Sequence, residues 1–113
     1  MLVLNRFDVP PDTREEFVAQ AHAALAALAE RPGYLSGRLA RALEDPTRWT
    51  LVTEWESVGA YRRALGAFEV KVNATPLLAR SLDEPSAFET LASAAPGSPV
   101  VEAESDRASE PWR

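Results

Sequence analysis

The chain of 113 residues reads as an α+β domain of the ferredoxin-like type, and three observations carry that assignment. Segments rich in β-formers and segments with apolar stripes follow one another as β-α-β-β-α-β, the split βαβ order. Pro10-Pro11, Pro32-Gly33 and Asp45-Pro46 punctuate the chain where it must turn. Apolar residues make up 46% of the chain, enough to build a packed core. The order predicts a four-stranded antiparallel sheet with both helices on one face.

The first strand is "LVLNRFDV" (2–9), whose alternation puts Val3, Asn5, Phe7 and Val9 on one side and Leu2, Leu4, Arg6 and Asp8 on the other. Pro10 and Pro11 end it, since neither can donate to a ladder. Asp12 or Thr13 is the expected cap of the first helix, with Glu15 and Glu16 in its first turn to complement the dipole. Phe17, Ala21, Ala24, Leu25 and Leu28 form its apolar stripe, which stops before Pro32-Gly33. "YLSGRLARAL" (34–43) and "WTLVTEWE" (49–56) read as a hairpin around the turn "EDPTR". Ser57 is the expected cap of the next helix, and Val58, Tyr61, Leu65, Phe68 and Val72 recur at helical steps as its inner face. Gly66 and Asn73 predict a break, with a short piece around "TPLLARS" (75–81). "PSAFETLA" (85–92) reads as the fourth strand. Residues 1–92 thus form the domain, and 93–113, with three prolines and little core-forming material, read as a flexible tail.

Charge and composition remove several functions. A net charge of −5 without a basic stripe argues against a nucleic-acid module. No apolar run reaches the roughly 20 residues a membrane span needs. Asp8 and Asp12 interrupt the N-terminal apolar segment where a signal peptide would continue, so a cytoplasmic protein is expected. With no Cys and one His, neither a thiolate metal site nor a thiol nucleophile can form. Eleven Arg against one Lys, with abundant Ala, points to a GC-rich bacterial genome. Both faces of the strands carry apolar side chains, and a folded part of about 90 residues has little stability to spare. Covering the open sheet face with a second copy predicts a homodimer.

"LNRFDV" at the start and "RPGYLSGRLARALEDPTRWTLVTEWES" in the middle resemble the antibiotic biosynthesis monooxygenase family of dimeric α/β-barrel proteins. The resemblance covers residues 1–92 and implies a pocket between each subunit's sheet and helices. Some members of that family oxidise phenols, anthrones or quinols with molecular oxygen, using neither metal nor flavin. It therefore implies no cofactor, a small aromatic substrate, and a protein that assists deprotonation and stabilises an anion with fixed donors. Two departures are visible. Ala64 stands near the place where many members carry a His, and Asn73 and Ala74 stand where the haem-degrading branch has its axial His. Without that ligand, haem binding loses its main bond to iron.

Asn5, Trp55 and Tyr61 are the candidate catalytic residues. Asn is a poor β-former in mid-strand, and a buried amide must find a partner or cost about 1–3 kcal/mol. Asn5 therefore bonds to neighbouring backbone or water, or matches the family's first-strand Asn and points at a ligand oxygen. Trp55 packs in the core or a dimer interface, or forms a pocket wall, and its indole N–H needs a partner when buried. Tyr61 fills the core or serves as proton partner to a substrate phenol. Phe7, Leu65, Phe68 and His22 are the candidate substrate-binding residues. His22 is the one side chain that titrates near neutrality, although the sequence supplies no carboxylate to orient it. Arg38 and Arg41 alternate, so one faces the helices and the other the open side, in an order the pattern leaves open. The expected function is a cofactor-independent monooxygenase on a phenolic, anthrone or quinol-type aromatic. The alternatives are a non-catalytic ligand-binding or structural dimer and, behind it, a haem protein.

Overall fold

The computed structural model describes residues 1–104. Its main sheet contains β1 (Leu2–Asp8), β2 (Tyr34–Arg41), β3 (Arg48–Trp55) and β4 (Ala87–Phe88), antiparallel throughout and ordered β2-β3-β1-β4. The helices are α1 (Arg14–Ala29), α2 (Val58–Leu65), α3 (Phe68–Asn73) and α4 (Thr75–Leu78). This is the ferredoxin-like α+β architecture expected from the sequence.

Register decides which side chains share a face. Asn5 lies opposite Leu51, Val3 opposite Thr53 and Phe7 opposite Trp49. Strand alternation turns these inward, together with Trp55, against Phe17, Ala21, Ala24 and Leu28 of α1. Ala60 and Ala64 of α2, Val70 of α3 and Leu77 of α4 complete the helical layer. The opposite face presents Leu2, Leu4 and Val52, only half-buried, with Leu4 directly across from Val52. No helix among the described residues is long and apolar enough to cross a membrane.

Gly33 sits at the joint between α1 and β2 with φ +89°, and a Cβ there would run into the Cβ of Ala60. The Pro32-Gly33 pair thus lets the second strand begin directly beneath α2. Ser57 caps α2 as expected, accepting a 3.1 Å hydrogen bond from the Ala60 N–H. Gly66 and Asn73 also mark the ends expected of them, closing α2 and α3.

Four expectations are corrected. Thr13 occupies the cap position of α1 without a side-chain cap bond; its hydroxyl donates instead to Pro10 O, within the 3₁₀ turn Pro11–Thr13. Of the expected inner stripe, Val58, Tyr61 and Leu65 pack half-buried against the core, but Phe68 and Val72 do not. Ala60 and Ala64 are the buried residues of α2 itself, and the break at Gly66 then resets the helical phase, so Val70, Ala74 and Leu77 go inside while Phe68 and Val72 are 74% and 53% exposed. The fourth strand shrinks from 85–92 to Ala87–Phe88, because β1 runs out at Leu2 and offers no ladder beyond the Leu2–Phe88 pair. Finally, 93–104 is not without structure. Ser93 and Ala92 of β5 (Ala92–Ser93) pair with β6 (Val101–Glu102), the chain reversing through Gly97 at φ +71°. The rest of the tail, 105–113 with Trp112, lies outside the described residues.

Candidate active site

Asn5 is carried by β1 on the helix-facing side, between the buried Val3 and Phe7. It is 8% exposed, and among the described residues its amide makes no hydrogen bond. Its amide atoms are not sealed from solvent, so a side chain with two donors and one acceptor stands on this face without a protein partner and within reach of water. A donor with no protein partner is available to an oxygen atom that arrives to accept from it.

One end of the same face is aromatic. Trp55 closes β3 at 1% exposure, with Tyr34 edge-on at 5.4 Å and Tyr61 tilted at 5.5 Å on either side of its indole. Its Nε1–H donates to Thr53 Oγ1 at 2.8 Å. The partner that a buried indole requires is therefore its strand neighbour two residues back, on the same face by alternation. Trp55 belongs to the helix-facing core and not to the open face, which removes the interface reading and leaves it packed in the core beside Tyr61. Because its N–H is engaged, the polar group available at this point is the Thr53 hydroxyl, whose own proton has no acceptor among the described residues.

Burial raises the phenols of Tyr34 and Tyr61 above the ordinary tyrosine range by desolvating their anions. At neutral pH the Tyr61 hydroxyl is accordingly a hydrogen-bond donor. Tyr61 and Leu65 stand between two clefts. One, of about 470 Å³, is bounded by Met1, Val58, Arg62 and Phe88. The other, of about 620 Å³, opens toward Lys71, Thr75 and Leu78. Asn5 lines neither cleft.

The structure brings Trp55, Tyr61 and Leu65 together and sets Asn5 and Phe7 on the sheet beneath the same helical layer. Phe7 is 2% exposed with its ring centroid 5.1 Å from that of Phe17. His22 and Phe68 do not join them. His22 is exposed on the outer side of α1, and Phe68 opens α3 facing solvent, because the break at Gly66 turned it outward. Arg41 is the arginine on the helix-facing side, stacked over Trp49 at 5.6 Å, while Arg38 lies across from Val52 on the open face. Asn73 spends its amide on Glu69, donating to its backbone and carboxylate oxygens, and Ala74 is fully buried.

Sequence reasoning passed over Tyr34 and Thr53. Thr53 had a visible signal, since a hydroxyl two residues before a buried Trp in a strand must share its face. Tyr34 had none, because its contact with Trp55 crosses the β2–β3 ladder beside the irregularity between Tyr34 and Ser36.

With this geometry established, similarity to known proteins gains meaning. The antibiotic biosynthesis monooxygenase family matches residues 1–72. A 42.8 kDa protein in the whiE locus of Streptomyces coelicolor is 34% identical over 59 residues, which are 52% of this chain and 15% of that protein. The chain thus spans about one seventh of that relative's length. SnoaB from Streptomyces nogalater, described as a cofactor-independent oxygenase, is 28% identical with a TM-score of 0.62, over 72% of this chain and 82% of SnoaB. A conserved protein from Methanosarcina mazei Go1 shares the fold at 22% identity and a TM-score of 0.63, over 76% of this chain and 84% of its own. Matched by the family over well more than half its length, and built on the family's sheet and helices, this chain belongs to the antibiotic biosynthesis monooxygenases.

Proposed function

We propose that this protein is a cofactor-independent monooxygenase acting, as a homodimer, on a phenolic, anthrone or quinol-type aromatic. The observation that carries the reading is Asn5, a nearly buried amide without a partner on the helix-facing side of β1. An electron-rich substrate anion can reduce oxygen itself, so the protein's work is to favour that anion and keep water from it. For an anthrone-type methylene, one oxygen atom becomes the carbonyl oxygen while the other leaves as water with the two displaced hydrogens. In this reading the Asn5 amide donates to the developing oxyanion, and the aromatic body reaches it from the side of Tyr61 and Leu65, whose clefts Asn5 does not itself line. Likeness to SnoaB supports the same chemistry.

One observation favours the alternative of a ligand-binding dimer without turnover. The one histidine faces solvent, so no imidazole base stands beside Asn5. Oxygen uptake separates the two readings. Purified protein with anthrones, naphthols or hydroquinones, chelator present, is expected to consume oxygen above the autoxidation blank, and Asn5→Ala to lower that rate at least tenfold. Saturable binding of the same compounds without uptake would transfer the assignment to a binding protein.

A further inference from the structure

Trp49 enters β3 on the helix-facing side, opposite Phe7 and diagonal to Asn5. Its ring is held edge-on to Phe17 at 5.5 Å and 62°, with the Arg41 guanidinium 5.6 Å above its face. Its Nε1 is buried and has no hydrogen-bond partner. Among the described residues the other such atom is Arg31 Nε, whose guanidinium has further N–H donors to spend elsewhere. An indole has a single donor, so Trp49 has no such outlet. Folded proteins rarely leave a buried N–H without an acceptor, and a phenylalanine would supply an aromatic ring here without that cost. The placement makes sense if the acceptor is a molecule that comes and goes.

Two unspent polar groups, the Trp49 indole and the Asn5 amide, therefore occupy diagonal positions on one sheet face. Diagonal neighbours across an antiparallel pair lie within reach of each other when one is a large aromatic. Trp55, at the other end of the row, is engaged with Thr53 and does not compete for the role. We propose that Trp49 is a binding residue of the site: its indole N–H and the Asn5 amide converge on one oxygen of the aromatic ligand and select its anionic form. This rests on the functional reading above and adds a residue to it. Two neutral donors, one of them buried, favour a phenolate over a phenol, because a hydrogen bond to a charged acceptor is roughly twice as strong. The stacked Arg41 cation draws electron density from the indole and sharpens the N–H as a donor.

The test uses 2-naphthol, whose neutral and anionic forms absorb at different wavelengths. Wild-type protein is expected to bind the anion preferentially. Trp49→Phe keeps the ring and should lose about tenfold in affinity for the anion, with affinity for neutral naphthol unchanged. Naphtholate binding by Trp49→Phe equal to wild type would overturn the inference. The functional reading would survive if Asn5→Leu still weakened it, whereas no naphthol binding and no oxygen uptake by wild type would remove both. A second measurement needs no variant protein in the binding step. On naphtholate addition, the Trp49 indole N–H resonance in heteronuclear NMR should move downfield while that of Trp55, bonded to Thr53, stays. A stationary Trp49 resonance at saturation would sink the proposal.

Discussion

Thr53 is buried at 2% exposure and accepts the Trp55 indole proton, so a hydroxyl in this row is holding an aromatic in place. Thr53→Val keeps the shape and removes the acceptor. The expected cost is about 1–3 kcal/mol, the penalty of an unsatisfied buried N–H, with Thr53→Ser recovering most of it in thermal denaturation. Asn5 should behave in the opposite way. Its amide bonds to nothing among the described residues, so Asn5→Leu is expected to leave stability level or raise it by about 1 kcal/mol while lowering turnover. Tyr61 adds a pH signature. Its pKa is raised above the ordinary value of 10.0, so its neutral form is favoured on folding. The stability it contributes is therefore fully present below about pH 10 and lost as pH rises through the higher folded value. Denaturant midpoints measured from pH 8 to 11.5 should fall less steeply above about pH 10 in Tyr61→Phe than in wild type. At this scale the burial of Asn5 was legible, since alternation alone puts it beside Val3 and Phe7. The aromatic neighbour of Trp55 across the ladder, Tyr34, was not, because that contact joins two strands.

Gly33 shows how elements meet. Its positive φ suits a residue without a Cβ, and the space a Cβ would need already belongs to Ala60 of α2. Gly33→Ala is expected to cost at least about 2 kcal/mol, the backbone strain adding to the overlap. Ala60→Gly in the same chain should return the overlap component only, giving a favourable coupling in a double-mutant cycle read from urea midpoints. Additive effects would mean that the two elements are not in contact there. The helical region after β3 is where periodicity misled. A single phase carried through Gly66 puts Phe68 and Val72 inside, whereas two short helices with a reset phase put Val70 and Ala74 there. Alanines that permit close approach score poorly in any stripe of large apolar residues, yet they are what α2 packs with.

The sheet leaves Leu2, Leu4 and Val52 half-exposed on the side away from the helices. Water-facing aliphatic side chains at the centre of a sheet are expected to be covered, and a second copy meeting them face to face would do so. Val52→Asp, across from Leu4, should shift the protein from dimer to monomer in sedimentation velocity at micromolar concentration. An unchanged dimer would relocate the interface away from this face.

The sequence alone was sufficient for the order of elements, the sheet class and the grouping of Asn5 with Val3 and Phe7 on one face of β1. Local chemistry determines these: alternation, prolines that cannot donate, a serine that can cap. What required the tertiary structure were relations between elements remote in the chain. Arg41 rather than Arg38 faces the helices because β2 takes its register from β3. His22 and Phe68 leave the site because the rotation of a helix about its axis is set by what it packs on. The indole of Trp55 is engaged while that of Trp49 is free, although both stand in one strand on one face. That difference arises from side chains converging in three dimensions, and periodicity along one dimension cannot encode it.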